Sequence, residues 1–156
     1  MFARSFKELM VYQKARGVSS EIFTLSKLFP REETYSLTDQ IRRSSRSIGA
    51  QIAEAWAKRR YEKHFVSKLT DADGEQMETQ HWLDESTHCG YLSAEKSSLL
   101  PSELESIGRM LNQMILKSEL FCQDDSRMAR EESAVYGDMD DFFIPTTGHW
   151  SPVTGH

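Results

Sequence analysis

The residues best suited to a chemical task in this chain are basic side chains gathered within one stretch, Gln40 to Lys68. This stretch holds eight Lys or Arg residues against Glu54 and Glu62, a local formal charge of +6. Guanidinium forks match the geometry of phosphate groups, and displaced counterions add to the affinity for a polyanion. The pattern therefore predicts a nucleic-acid-binding surface made of Arg42, Arg43, Arg46, Arg59, Arg60 and Lys63.

A second interpretation of the same basic residues stays open. Charges at the rim of a subunit interface would show the same pattern, and they would then serve assembly through salt bridges to neighbouring copies. No recognised RNA-binding module accompanies the arginines, so any contact with nucleic acid is expected to use shape and backbone rather than base edges.

Histidines and carboxylates raise the question of a metal site. Glu78 precedes His81 by three residues and Glu85 precedes His88 by three, which is the Glu-x-x-His spacing of di-iron bundles. Such bundles place one copy on each of two helices, whereas both copies here fall on one predicted helix. We predict no metal site and no cofactor. A metal-dependent oxidoreductase remains as a third class of function to be tested, beside nucleic-acid binding and a scaffold role.

Nucleophiles are present without the partners that would activate them. Ser44, Ser45 and Ser47 have no nearby base in the sequence. Cys89 follows His88 directly, and adjacent helical residues point about 100° apart, so the two form no dyad. The chain is therefore predicted to have no catalytic residue and not to be an enzyme.

Composition narrows the class further. The chain has 156 residues and a net charge of −5, and residues 123–156 carry the whole acidic excess with seven acids and two bases. No apolar run approaches the roughly 20 residues that span a bilayer, and no secretory signal is evident. Two widely spaced cysteines indicate reduced thiols. These features predict a cytoplasmic protein with no membrane partner.

Four segments with apolar residues at alternating spacings of four and three must position the basic residues. Helix one is predicted from Phe6 to Phe29, helix two from Leu37 to Lys58 with Ser36 as its cap, and helix three from Glu62 to Cys89 with Gly90 closing it. Helix four ends near Leu120, and Pro101 predicts either a late start or a kink. These segments predict an all-α, up-down-up-down four-helix bundle over residues 1–120 and an acidic, disordered tail over 121–156.

Two groups of side chains add detail to this bundle. Gln76, Thr79 and Ser86 fall on the core face of helix three, so each must find a partner: one another, Gln40 or Gln51, or water. The aromatic residues Trp56, Tyr61, Phe65 and Trp82 are predicted to lie near the junction of helices two and three, where an interface is favoured over base stacking.

Several strings resemble one known family. They are YSLTDQIRRSSRSIGAQIAEAWAKRR at 35–60, FKELMVYQKA and LFPREE before it, and DADGEQMETQHWLDESTHCGYLS and IGRMLNQMI after it. The set resembles the four-helix-bundle proteins encoded in intervening sequences of bacterial 23S ribosomal RNA genes, over about residues 4–118. The family's Asn-Ile-Ala-Glu-Gly motif appears here as Gln51-Ile52-Ala53-Glu54-Ala55, which keeps an amide and a small residue but not the glycine.

The resemblance implies a homopentameric ring, with nucleic acid as the suspected ligand. A related group of bundles assists retroelement reverse transcriptases through a basic surface. The function predicted here is thus a homo-oligomer that binds structured RNA or DNA through its basic face. The alternative is a scaffold for a partner protein with no nucleic-acid role. A further hypothesis is that the acidic tail shields the basic face.

Overall fold

The computed structural model describes residues 3–122, which lie in one compact unit of the chain, Met1–Gln123. Its helices are α1 (Met10–Ser26), α2 (Leu37–Ala57), α3 (Glu62–His88) and α4 (Ala94–Leu116), with single 3-10 turns at Phe6–Glu8, Arg31–Glu33 and Ser118–Leu120. Residues 3–122 contain no strand, so the predicted all-α fold with four helices is confirmed. The tail predicted at 121–156 lies outside the described residues beyond Cys122.

Side-chain contacts between helices show the direction in which each helix runs. Along every neighbouring pair, one residue number rises as the other falls. The pairs are Ser26–Arg42 and Tyr12–Gly49 for α1 and α2, Thr79–Ser44 and Lys68–Gln51 for α2 and α3, Gln76–Gly108 and Thr87–Ser97 for α3 and α4, and Lys14–Glu103 and Glu21–Lys96 for α1 and α4. All four neighbouring pairs are antiparallel, which is the arrangement of an up-down-up-down bundle.

The first helix begins later and ends earlier than its apolar pattern predicts. Leu9 is extended, with φ −69° and ψ 127°, and separates the 3-10 turn from α1. At the other end α1 stops at Ser26, although Phe29 remains buried against the core. Apolar spacing alone therefore overestimated the helix, because buried residues continue through the non-helical turns at both ends.

The expectation of a late start for α4 is wrong. Ser93 caps the helix by accepting a hydrogen bond from the amide of Lys96 at 3.3 Å, and Pro101 lies inside the helix. Proline has no amide hydrogen, so the helix gives up one backbone hydrogen bond at that position. Burial of Leu100 and Leu104 on the same helix offsets this loss, because both side chains are completely buried.

The polar residues on the core face of α3 are buried and paired, as expected. The Thr79 hydroxyl donates to Ser44 Oγ of α2 at 2.9 Å, Ser86 donates to the carbonyl of Trp82 at 2.7 Å, and Gln76 Nε2 donates to Asp73 Oδ1 at 3.0 Å. Gln40 and Gln51 are not their partners; Gln51 instead accepts a hydrogen bond from Lys68. The buried side chains of Gln76, Thr79 and Ser86 are therefore all paired, either within α3 or with Ser44 of α2.

Helices α3 and α4 approach each other closely at one glycine. A Cβ placed on Gly108 would lie 2.9 Å from Gln76 Nε2 and 3.3 Å from Asp73 Oδ1. The first distance is shorter than a Cβ atom tolerates, so the absence of a side chain at this position is what allows Gln76 to lie between the helices.

The chain reverses after α3 as the sequence predicts. Gly90 has φ +76°, the left-handed conformation that glycine adopts without a steric cost. The amide of Tyr91 donates to the carbonyl of Ser86 and that of Gly90 to the carbonyl of Thr87, both at 2.9 Å, which is a Schellman motif.

The start of α2 is capped differently from the prediction. Ser36 makes no side-chain cap; its hydroxyl donates to Glu33 Oε2 at 2.5 Å, and the same carboxylate oxygen accepts from the amide of Leu37 at 3.4 Å. The carboxylate of the preceding 3-10 turn thus replaces the serine as the acceptor. Among residues 3–122, no helix is both long enough and apolar enough to cross a membrane.

Candidate nucleic-acid interface

The first basic group lies on the N-terminal half of α2. Arg43 and Arg46 are exposed, and Arg42 is half-buried on the side that faces α1. Arg42 and Arg46 are four residues apart, so they lie on the same side of the helix, one turn from each other. The helix therefore presents these guanidinium groups in a row beside α1, with Arg43 next to the row on the outer surface.

A phenyl ring on α1 supports this row. The guanidinium carbons of Arg42 and Arg46 lie 4.8 and 5.1 Å from the centre of the Phe23 ring, and Lys27 Nζ lies 4.6 Å from it. Each such cation–π contact is worth about 0.5–1 kcal/mol at an exposed site. Arg42 Nε also donates to the buried hydroxyl of Ser26 at 2.7 Å. The residues of α1 thus hold the arginines in place.

These arginines lack the acidic partners that other basic residues of the bundle have. Lys14, Lys68 and Lys96 each pair with at least one carboxylate. Within residues 3–122, no carboxylate lies within 4.0 Å of the guanidinium nitrogens of Arg42, Arg43 or Arg46. The Phe23 ring and the Ser26 hydroxyl hold Arg42 and Arg46 without neutralising them, and Arg43 is exposed, so the positive charge of all three is available to a ligand.

The arginines also line a cleft. It has a volume of about 480 Å³ and runs along the first half of α2 and the turn before it. Its polar lining consists of Arg42, Arg43 and Arg46, the hydroxyl residues Thr34, Thr38 and Ser47, and Asp39. We refer to it as the arginine cleft.

The second basic group lies at the other end of α2. Arg59 Nε donates to the carbonyl of Trp56 at 2.9 Å, and its guanidinium carbon lies 3.6 Å from the centre of the Trp56 ring. Arg60 and Lys63 are exposed beside the turn that joins α2 to α3. From Arg43 to the last residue of α2 the helix rises about 21 Å. The six predicted residues therefore form two separate groups.

Three residues that the sequence associated with the second group lie elsewhere or serve another role. Lys68 Nζ pairs with Glu54 at 2.9 Å and with Asp71 at 3.5 Å, so its charge is locally compensated. Trp82 belongs to the opposite end of α3, where its indole nitrogen donates to Glu78 at 3.1 Å. Phe65 is completely buried and is not available for base stacking. Of the predicted aromatic group, only Trp56 and Tyr61 lie near the junction with side chains that are not fully buried.

The structure also bears on the metal-binding and nucleophilic candidates. Among residues 3–122, no group of three or more His, Cys, Asp or Glu side chains is arranged to hold a metal ion. Burial raises the pKa of the Cys122 thiol to about 11, which keeps it protonated and unreactive near neutral pH. Ser44 and Ser45 are buried and donate to carbonyls of their own helix.

Sequence reasoning missed Phe23, Lys27 and Thr38 as members of the site. In the sequence, Phe23 fits the apolar spacing of helix one, and Lys27 is an isolated lysine near the end of that helix. Their relation to the arginines appears only when α1 packs antiparallel to α2, so no local signal in the sequence could have revealed it. Thr38 lies four residues before Arg42 on the same side of α2, and this spacing was the one available clue.

The fold and the site together define the class: an all-α protein of four antiparallel helices with an uncompensated arginine row on α2. Residues 7–113 match the family model of the 23S rRNA-intervening sequence proteins. The match covers more than half of the chain, so the chain belongs to the 23S rRNA-intervening sequence protein family, as its sequence strings predicted.

A solved structure agrees with this assignment. The chain is similar to a protein of unknown function from the S23 ribosomal protein family of Bacteroides thetaiotaomicron, with 29% sequence identity and a TM-score of 0.62, over 69% of this chain and 96% of that one. No curated protein matches the chain.

Proposed function

We propose that the protein is a non-enzymatic, cytoplasmic homo-oligomer that binds structured RNA or DNA through its basic face. The observation that carries the proposal is the group of three arginines on α2: Arg42 and Arg46 are held against α1, Arg43 lies beside them on the outer surface, and none has a carboxylate partner among residues 3–122. A cluster of charges of one sign attracts ligands of the opposite sign, so these arginines favour an anionic partner.

The expected mode of binding is contact with the phosphate backbone. Guanidinium groups donate two parallel hydrogen bonds to phosphate oxygens, and each neutralised phosphate releases counterions. None of the described residues that line the arginine cleft is aromatic, and the Phe23 ring beside Arg42 and Arg46 already contacts three cations. Recognition would therefore depend on the shape of the nucleic acid and its backbone, with little reading of base edges.

The oligomeric part of the proposal is a homopentameric ring, the assembly that the family resemblance implies. Identical arginine rows in a ring would engage one nucleic acid at several places, and the resulting avidity would compensate for weak individual contacts. An open, mainly apolar cleft between α1 and α4 supports self-association; it is lined by Leu9, Met10, Met110, Met114 and Phe121, among others. Met10 is 72% exposed, which is unusual for so large an apolar side chain at a helix start.

Binding is tested by fluorescence titration of labelled structured RNA and duplex DNA with the full chain at two salt concentrations. We expect the triple variant Arg42→Gln, Arg43→Gln, Arg46→Gln to bind at least about tenfold more weakly at low salt. We also expect its salt dependence to be shallower by about two to three units on logarithmic axes. Arg16→Gln is the matched control, because Arg16 is exposed on α1 and does not line the arginine cleft. Absence of binding at low salt, or an unchanged affinity in the triple variant, contradicts the proposal.

A scaffold for a partner protein is the second candidate, and the same α1–α4 cleft favours it. Light scattering measures the oligomeric state, and it therefore shows whether the α1–α4 cleft or the arginines mediate assembly. Met10→Glu places a charge in the apolar cleft and is expected to dissociate the oligomer. Met77→Glu is the control, since Met77 is a 59% exposed methionine on α3 outside this cleft. If the arginine variant rather than Met10→Glu dissociates the oligomer, the arginines serve assembly and the scaffold role is favoured.

A further inference from the structure

One residue that lines the arginine cleft has a buried hydroxyl without a hydrogen-bond partner. Thr38 is 6% exposed, and its hydroxyl Oγ1 is the single buried side-chain nitrogen or oxygen among residues 3–122 that has no hydrogen-bond partner. Elsewhere the bundle pairs its buried hydroxyls, as at Thr79 and Ser86. A buried hydroxyl without a partner costs about 1–3 kcal/mol. Its position in the lining of a cationic cleft is what an anion donor would require.

Because the Thr38 hydroxyl is buried, a ligand in the cleft can reach it only if neighbouring side chains of the lining move. Arg43 and Asp39 line the same cleft, both are exposed, and neither side chain makes a hydrogen bond or ion pair within residues 3–122. Rotating these two side chains breaks no hydrogen bond and no ion pair within residues 3–122. The volume of the cleft, about 480 Å³, is ample for a single phosphate group.

The charge of the lining selects the kind of phosphate. Three guanidinium groups and one carboxylate, that of Asp39, give the lining a formal charge of +2. Just outside it, Lys27 on α1 and Glu75 on α3 contribute opposite charges; Glu75 is near enough to Arg43 for that guanidinium to act on its pKa. A phosphate monoester or inorganic phosphate carries a charge of about −1.5 to −2 near pH 7. An internal phosphodiester carries one negative charge and matches the lining less well.

We propose that the arginine cleft binds a single dianionic phosphate, either inorganic phosphate or the terminal phosphate monoester of a nucleic-acid chain. Arg42, Arg43 and Arg46 donate to its oxygens, and the hydroxyl of Thr38 supplies a further donor. The terminal monoester as the source rests on the proposed nucleic-acid-binding function, whereas binding of the phosphate group itself does not. Arg59, Arg60 and Lys63 are not part of this site.

Calorimetric titration of the full chain tests the class of ligand. The probes are inorganic phosphate, phenyl phosphate as a monoester and dimethyl phosphate as a diester. We expect the first two to bind at least about tenfold more tightly than the third. Their affinity should fall from about pH 7.5 to about pH 5, because the second ionisation of phosphate lies near pH 6. No histidine is among the described residues that line the cleft, so histidine protonation would not cause this fall in affinity. Protonation of Glu75 would strengthen anion binding, which is the opposite effect.

Single substitutions test which residues bind the phosphate. Arg43→Gln should weaken phosphate binding at least about tenfold, while Arg16→Gln should leave it unchanged. Thr38→Val should weaken binding and raise the midpoint of thermal unfolding, because it removes a buried hydroxyl that has no partner in the free protein. This pair of opposite effects distinguishes a lost ligand contact from a lost fold. Equal binding of all three probes, or unchanged phosphate affinity in both Arg43→Gln and Thr38→Val, overturns the proposal.

A final comparison identifies the source of the phosphate. RNA oligonucleotides of the same sequence are titrated with a 5′-phosphate and with a 5′-hydroxyl. Tighter binding of the phosphorylated chain, lost in Thr38→Val, supports the terminal monoester. Equal binding of the two chains, together with binding of inorganic phosphate, supports free phosphate as the ligand. If neither RNA binds but inorganic phosphate does, the proposed function fails and the phosphate site stands.

Discussion

The phenol of Tyr91 donates a hydrogen bond to Glu33 Oε1 at 3.1 Å, which joins two connections of the chain that are 58 residues apart. Glu33 belongs to the turn between α1 and α2, and Tyr91 follows the glycine that ends α3. The other carboxylate oxygen of Glu33 accepts from Ser36 and Leu37. One side chain therefore caps α2 and ties together both connections at this end of the bundle.

The first prediction is a change in acid stability. The hydrogen bond from Ser36, with smaller contributions from Leu37 and Tyr91, lowers the pKa of Glu33 below 4.5. A lowered pKa in the folded state means that the carboxylate contributes stability above its unfolded pKa and loses it as the pH falls through the folded value. Glu33→Gln should therefore lower the thermal midpoint at pH 7, and the difference from wild type should vanish in acid. A difference that stays constant down to low pH would show that the charge is irrelevant.

The same contact has a consequence at alkaline pH. Burial, followed by the hydrogen bond to Glu33, raises the pKa of Tyr91 to about 12. Because the folded pKa exceeds the ordinary value of 10.0, this contribution to stability is complete below pH 10 and is lost as the pH rises towards 12. Spectrophotometric titration of wild type against Tyr91→Phe should show the late-titrating phenol.

The second prediction concerns the close approach at Gly108. Gly108→Ala should destabilise the protein by about 1 kcal/mol, because steric overlap with Gln76 outweighs the gain in helix propensity. In a Gln76→Ala background the same substitution should instead stabilise. Gly74→Ala is the control: nothing lies within 4 Å of a Cβ added there, so it should stabilise by up to about 1 kcal/mol. Denaturant unfolding measures all four free energies, and equal effects of Gly108→Ala in both backgrounds would contradict the explanation.

The third prediction concerns the buried hydroxyl pair between α2 and α3. Thr79→Val and Ser44→Ala each remove one partner of the 2.9 Å hydrogen bond, and each should cost about 1 kcal/mol of unfolding free energy. The double variant should cost less than the sum, because either single substitution already removes the hydrogen bond between the two helices. Strict additivity in this double-mutant cycle would mean that the two hydroxyls do not interact.

The fourth prediction separates Lys68 from the binding surface. Lys68 lies between Glu54 and Asp71, and the hydrogen bond that its Nζ donates to the Glu54 carboxylate is the main cause of its raised pKa. Lys68→Met should lower thermal stability and leave nucleic-acid affinity close to that of wild type. Loss of affinity equal to that of the arginine variant would place Lys68 in the binding surface after all.

The sequence predicted the four helices, their order and the turn at Gly90, because apolar spacing and a glycine at a helix end are local signals. It placed the ends of helix one at Phe6 and Phe29, whereas α1 runs from Met10 to Ser26, because buried residues continue outside the helix. The cap of α2 was also assigned to Ser36, since a carboxylate in the preceding turn is not part of the usual pattern. These differences arise where tertiary contacts override a local preference.

The candidate site was predicted in part for the same reason. Clustered basic residues are visible in the sequence, so Arg42, Arg43 and Arg46 were found. Their separation from Arg59, Arg60 and Lys63 follows from the length of α2. The supporting ring of Phe23 depends on the register of α1 against α2, which is a property of packing.

The contact between Arg42 and α1 has an entropic consequence. Its Nε is fixed on Ser26 and its guanidinium plane rests over Phe23, so the side chain has already given up much of its rotamer freedom before any ligand arrives. Arg43 has no such anchor within residues 3–122, and it would have to surrender that freedom on binding, at about 0.5–1.5 kcal/mol for an immobilised side chain. Two arginines adjacent in sequence are thus unequal: Arg42 is a preorganised donor, and Arg43 adapts to what is bound.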